Sequence, residues 1–125
     1  MDVEDAELAA KTGAQAIVVS NHGGRQLDGA PSSIEVLPEI VDTVGSQMEI
    51  MFDSGIRTGM DVVRALALGA RACLIGRPWV WGLAAGGERG VARVLEIFRE
   101  ELDRALALVG RPRAQDVDAT ILHSR

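Results

Sequence analysis

A chain of 125 residues, 47% hydrophobic and 25% charged, has enough apolar material for a core and reads as one domain or part of one. A formal net charge of −5, with scattered basic residues and no basic tract, argues against a nucleic-acid partner. No apolar run approaches the length that spans a bilayer. The single cysteine, Cys73, excludes a disulfide framework, fits a reducing cytoplasm and reads as a small core residue.

Residues Val3 to Thr12 predict a short helix. Glu4, Asp5 and Glu7 suit its positive end, and Gly13 is its left-handed stop. Ala16 to Ser20 is a first strand, and its continuous apolar run predicts cover on both faces. A Gly-rich polar loop follows from Asn21 to Pro31. Ser32 with Glu35 has capping-box spacing, so a helical segment runs to about Val44, with Pro38 placed in the first turn of the main helix and Gly45 at its end.

Ile50 to Phe52 is a second apolar run, closed by Asp53-Ser54-Gly55. Thr58 and Asp61 mark the start of a helix that stops at Gly69. Ala72 to Ile75 is a third strand, ending in Gly76-Arg77-Pro78. Then come a short segment from Trp79 to Ala85, the breaker Gly86-Gly87 and the longest helix, about Glu88 to Val109. In it Val91, Val94, Leu95, Phe98, Leu102, Ala105, Leu106 and Val109 recur at helical spacing. The tail beyond Pro112 is polar and has room for one more helical turn.

Strands alternating with helices imply a parallel sheet. All three strands end in Gly-containing polar loops, so their C-terminal ends share one edge, where parallel α/β folds carry their ligand site. Two architectures compete. An open doubly wound sheet usually shows Gly-x-Gly-x-x-Gly after its first strand, and that motif is absent. A (β/α)₈ barrel places a phosphate between its last two strand loops and a short extra helix. Asp53 to Arg57, then Gly76-Arg77 before the segment at Trp79, fit that arrangement. A whole barrel needs about 250 residues, so the chain is expected to be the C-terminal part of one, residues 1–125 carrying strands six to eight with their helices.

The chemistry concentrates in three loops. A lone histidine after a strand is ordinarily a hydrogen-bonded loop residue, but His22 has Gly23 and Gly24 to clear space and Arg25 to supply a fixed charge. A base beside an anion clamp suits proton abstraction from a small carboxylic acid. Asp28 reads as a turn residue, with pairing to Arg25 as the alternative. Arg57 and Arg77 each follow a glycine after a strand, near a helix start, and read as a phosphate seat, with two surface arginines in solvated loops as the alternative. Asp53 can accept hydrogen bonds from a ribityl or ribose hydroxyl. It has no cluster of metal-ligating residues around it, so no metal is expected. His123 reads as solvated, and Trp79 and Trp81 as packed beneath the last helix, with shielding of a cofactor as the alternative.

Ser-Asn-His-Gly-Gly-Arg-Gln-Leu-Asp-Gly at 20–29, Asp-Ser-Gly-Ile-Arg-Thr-Gly at 53–59, Ala-Leu-Ala-Leu-Gly-Ala at 65–70 and Ile-Gly-Arg-Pro at 75–78 resemble the FMN-dependent α-hydroxy acid dehydrogenases and oxidases. That family includes L-lactate dehydrogenase, lactate oxidase and monooxygenase, glycolate oxidase and mandelate dehydrogenase. The resemblance runs from about Val3 to Val117, and the wording is closest to the bacterial L-lactate and mandelate dehydrogenases. It implies a (β/α)₈ TIM barrel with FMN at its C-terminal face. It further implies that His22 is the active-site base and Arg25 binds the substrate carboxylate. Asp53, Ser54, Gly55, Ile56 and Arg57 would line the ribityl phosphate, with Gly76 and Arg77 completing the phosphate site.

The implied reaction oxidises an L-lactate-like 2-hydroxy acid to the 2-keto acid, by hydride transfer or through a carbanion, and a quinone or oxygen takes the electrons onward. Full-length relatives are implied to be homo-oligomers, cytoplasmic or membrane-associated. The family's two active-site tyrosines, the Asp that partners its His, a second substrate-binding Arg and a flavin-contacting Lys have no counterpart in these residues. The alternative is therefore a non-catalytic half-barrel that binds a phosphate-bearing ligand or a complementary N-terminal chain.

Overall fold

The structure is a computed structural model and describes residues 1–123. Its elements follow the chain as α1 (Val3–Lys11), β1 (Ala16–Val19), a 3₁₀ turn (His22–Gly24), α2 (Ser33–Val44), β2 (Glu49–Phe52), α3 (Gly59–Ala67), β3 (Ala72–Cys73) and α4 (Arg77–Leu108), then 3₁₀ turns at Ala114–Asp116 and Ala119–Ile121. The strands form one parallel sheet in the order β1-β2-β3, with Ile17 beside Ile50, Val19 beside Phe52, and Phe52 beside Cys73. Helical crossovers join the strands, as their alternation predicts.

The helices start where short polar side chains can accept from free N–H groups. Asp2 accepts from Glu4 N–H at 2.9 Å to open α1. Glu35 reaches back to Ser32 N–H at 3.3 Å to open α2. Pro38 lies at the sixth position of α2, inside the helix and beyond its first turn. The lost backbone bond is offset by packing: Leu37, Ile40 and Val44 on the same helix are buried against the sheet.

The core lies on one side of the sheet. Val19, Ile50 and Phe52 point there and are buried with Ala6, Leu37, Ile40, Val44, Ala65 and Ala70. The expected cover on both faces is absent among the described residues. Val18, beside Met51 and Ala72 in the register, is 45% exposed, and Leu74 is 43% exposed. Side chains alternate across a strand, so Val18, Met51 and Ala72 make a second, uncovered apolar face. β3 is shorter than the apolar run Ala72 to Ile75, because only Ala72 and Cys73 pair with β2.

The segment at Trp79 and the long helix fall in one helical span that breaks at Gly86 (φ −156°) and Gly87 (φ 60°, ψ −143°). The two arms fold back so closely that a β-carbon on Gly90 would sit 1.9 Å from the Gly82 carbonyl oxygen, so this crossing requires glycine on both sides. Ala105 and Leu106 pack on Val63 of α3, and the tail closes over them through Val117 and Ile121. Leu95 does not join this stripe and is exposed. Trp79 and Trp81 do not lie beneath the helix; both are exposed, Trp81 by 57%. Among the described residues, no helix is long and apolar enough to cross a membrane.

Candidate functional site

The loops after β1, β2 and β3 converge on one groove of about 410 Å³. Its lining includes His22, Arg25, Asp53, Ser54, Gly55, Ile56, Arg57, Gly76 and Arg77, the residues expected to carry base, clamp and phosphate roles, whereas Asp28, Trp79 and His123 lie outside it. A larger cleft of about 650 Å³ lies at the opposite edge of the sheet, around Met48, Glu49 and Arg71, and holds none of them. Three arginines and a histidine face a single carboxylate, Asp53, in the groove, so a net acidic chain presents a locally basic site.

Backbone conformation marks the same place. Among the described residues, His22 (φ 55°) and Ser54 (φ 76°) are the non-glycine residues with left-handed φ, each in the loop that follows a strand. Such conformations cost roughly 1–3 kcal/mol each and persist only where surroundings enforce them. The enforcing bonds are visible. His22 N–H donates to Ser20 Oγ at 3.1 Å, Gly24 N–H to Asn21 Oδ1 at 3.1 Å, and Asn21 Nδ2 to the Pro31 carbonyl at 3.2 Å. Gly23 N–H crosses to Ser54 Oγ at 3.1 Å, and the Ser54 hydroxyl donates to Asp53 Oδ1 at 2.6 Å. The buried Ser33 hydroxyl holds the Asp53 carbonyl at 2.8 Å. Asp28 accepts from Gly29 N–H at 3.1 Å, as a turn residue does.

The arginines of the groove differ from those elsewhere. Arg64, Arg71, Arg93, Arg104, Arg111 and Arg113 each hold a carboxylate. Among the described residues Arg25, Arg57, Arg77, Arg89 and Arg99 hold none, and the first three share the groove. A β-carbon on Gly23 would lie 3.4 Å from an Arg77 guanidinium nitrogen, so that arginine reaches across to the His22 loop.

The two helix starts beside the groove are not equivalent. At α3, Asp61 Oδ2 accepts from the backbone N–H groups of Arg57 (3.1 Å) and Thr58 (3.0 Å), and Glu101 Oε2 accepts from Gly59 N–H at 2.8 Å. Burial raises the Asp61 pKa. The Thr58 hydroxyl, the N–H groups of Arg57 and Thr58 and the Arg64 guanidinium outweigh it and hold the carboxyl below its ordinary range. Two carboxylates therefore close the positive end of α3 to an outside anion. At α4, Gly76 gives no side-chain cap and Pro78 stands in the first turn, so the N-terminal N–H groups stay available beside Arg77. Of the two helix starts beside Arg57 and Arg77, the one left open to an anion is that of α4, the helix that follows the third strand loop.

These donors suit a phosphate monoester: unpaired guanidinium groups, an open helix end and Gly55, where a β-carbon would meet nothing within 4 Å. Asp53 offers an acceptor for a polyol hydroxyl. Leu74, Ile75, Pro78, Val80 and Trp81 form an apolar wall suited to a flat ring. Sequence reading missed most of this wall, because its residues look like ordinary strand-end and helix positions and only the packing of the three loops brings them together.

A sequence profile of the FMN-dependent dehydrogenases matches residues 1–124. The chain is 54% identical over 120 residues to an L-lactate oxidase of Nostoc sp., covering 96% of this chain and 33% of that protein. It is 50% identical over 125 residues to an L-lactate dehydrogenase of Caulobacter vibrioides, covering all of this chain and 33% of the relative. A crystal structure of mandelate oxidase with benzoyl-formic acid superposes with a TM-score of 0.85 at 50% identity, over 96% of this chain and 34% of that one. The chain spans about a third of the length of the relatives it matches.

Proposed function

The chain belongs to the FMN-dependent dehydrogenase family, and from that premise we propose that it serves the FMN-dependent oxidation of a small L-2-hydroxy acid to the 2-keto acid. The observation that carries this reading is the single groove in which His22 and Arg25 stand beside the phosphate-type donors Arg57 and Arg77. FMN, when bound, accepts the two electrons that the substrate loses. Arg57, Arg77, Gly76 and the first turn of α4 would hold its phosphate, Asp53 its ribityl hydroxyls, with Ser54, Gly55 and Ile56 lining that part of the site.

The chain's own residues handle charge and protons. Arg25 clamps the substrate carboxylate through paired N–H donors and sets the substrate's orientation. His22 takes the substrate proton on an imidazole nitrogen, the side chain of the loop best suited to act as a base. The left-handed turn at His22 and the glycines after it leave His22 exposed on the loop instead of in the core. The electron acceptor is a quinone or oxygen.

Anaerobic mixing of the purified protein with FMN and L-lactate tests the proposal. It is run alone and after co-expression with the N-terminal two thirds of the Nostoc L-lactate oxidase. We expect no bleaching of the flavin by the chain alone and bleaching in the complemented protein, lowered at least about 100-fold by His22→Gln. A complemented protein that binds FMN and bleaches equally fast with His22→Gln refutes the role of His22. A second reading, a non-catalytic partner for a complementary barrel chain, draws on the uncovered face at Val18, Met51 and Leu74. Stable co-purification without bleaching favours it.

A further inference from the structure

We infer that Ser54 is a positioning residue that locks the His22 loop to the Asp53 loop, and that its hydroxyl is not a ligand for the cofactor. The inference rests on the functional reading above only in calling His22 the base. Its geometric content stands apart from that.

A serine hydroxyl has one proton to give. In Ser54 that proton is committed to Asp53 Oδ1 at 2.6 Å, while the oxygen accepts Gly23 N–H at 3.1 Å. The side chain is thus a bridge between two strand-end turns that are 31 residues apart in sequence. Both turns hold a non-glycine residue at left-handed φ, Ser54 itself on one side and His22 on the other. Both turns lie beyond their strands, β1 having ended at Val19 and β2 at Phe52, and the His22 side is a single 3₁₀ turn. The bridge gives each strained turn a fixed reference in the other.

Two consequences follow for the groove. Asp53 is aimed by the bridge through one carboxylate oxygen, so its other oxygen is free for a hydroxyl. Gly23 is held close to Arg77, since a β-carbon there would lie 3.4 Å from the guanidinium, an ordinary contact distance. Loss of the hydroxyl therefore releases the His22 backbone first and the spacing to Arg77 with it.

Amide hydrogen exchange on the purified protein reads this directly, because neighbouring amides have different partners. Gly23 N–H depends on Ser54, whereas Gly24 N–H is held by the Asn21 side chain and backbone carbonyl. In Ser54→Ala we expect Gly23 to exchange at least about fivefold faster, the size of one hydrogen bond, with Gly24 unchanged. Ser54→Gly removes the hydroxyl and also relieves the positive φ, so it tests the same bond in a variant with less backbone strain. It should show the same Gly23 effect.

Unchanged Gly23 exchange in both variants overturns the inference, as does equal acceleration of Gly23 and Gly24. Fluorescence titration with FMN gives the second readout. Weaker FMN binding that accompanies faster Gly23 exchange supports the positioning role, since Asp53 and the spacing to Arg77 both depend on the bridge, and a tenfold weakening with unchanged Gly23 exchange reassigns Ser54 to the cofactor. A fast His22→Gln enzyme would refute the functional reading without touching the exchange result.

Discussion

Replacing Gly59 by alanine probes how firmly the phosphate-side loop is fixed to the scaffold. Gly59 is the first residue of α3, two positions after Arg57, and it is buried against the second arm of α4. An added β-carbon would lie 2.2 Å from Leu102 N, 2.5 Å from the Glu101 carbonyl carbon and 2.7 Å from Glu101 Cβ. Non-bonded carbon contacts are optimal at about 3.5–4.0 Å, so α4 must retreat by more than about 1 Å. The atoms in the way are largely backbone and cannot move aside as a side-chain tip can.

Overpacking ordinarily costs about 1–3 kcal/mol; a clash with helix backbone belongs at the top of that range. The same retreat draws Glu101 Oε2 off Gly59 N–H, a charge-assisted bond of 2.8 Å worth about 1.5–3 kcal/mol. Urea unfolding of the purified protein is the assay. A loss of about 3 kcal/mol or more lowers the midpoint by at least about 1 M at the usual slopes. Glu101→Ala separates the two effects. It removes the bond without adding volume and should cost about half as much, while Glu101→Gln keeps an acceptor and should cost less than either. Gly59→Ala within about 0.5 kcal/mol of wild type would refute the reasoning, since exposed positions without special contacts behave that way.

Arg57→Ala and Arg77→Ala should each weaken FMN at least about tenfold, the value of a charge-assisted bond, while leaving riboflavin, which lacks the phosphate, nearly unchanged; equal losses for both flavins would contradict the phosphate seat. Asp61 titrates below its ordinary range in the folded protein, so the stability it adds is present above the unfolded carboxylate pKa near ~4 and is lost as pH falls through its lower folded value. Asp61→Asn should therefore destabilise the protein at neutral pH and flatten the acid limb of a stability–pH curve; an unchanged acid limb would count against it. Burial pushes the Cys73 thiol up to about 11, so iodoacetamide at pH 8 should label it far more slowly in the native protein than in urea. Equal rates would show the thiol to be more accessible than its place beside Phe52 allows.

The local features were legible in the sequence because their causes are local. Thr58 and Asp61 are three apart, as are Ser32 and Glu35, and both pairs open helices. The apolar runs at Ala16, Ile50 and Ala72 are strands, and the polar loops after them carry every candidate site residue into one groove. A shared edge for all three loops follows from parallel pairing alone. Pro38 misled because a helix-interior proline costs about 3 kcal/mol in isolation, and its spacing does not reveal that Leu37, Ile40 and Val44 bury enough surface to carry the helix through it.

What only the tertiary structure decided lies in contacts between distant segments. Nothing in the spacing of Gly23 and Ser54 shows that they bond across 31 residues, or that Glu101 reaches Gly59 across 42. Those bonds help close the start of α3 to an anion and make the His22 turn lean on Asp53 through a serine. The same holds for the bare face at Val18 and Leu74. A continuous apolar run says that a strand wants cover on both sides, but which side receives it depends on the helices packed there, and these pack on one face of the sheet. Composition and motif determine which groups exist and in what order; folding alone determines which of them are already occupied by one another.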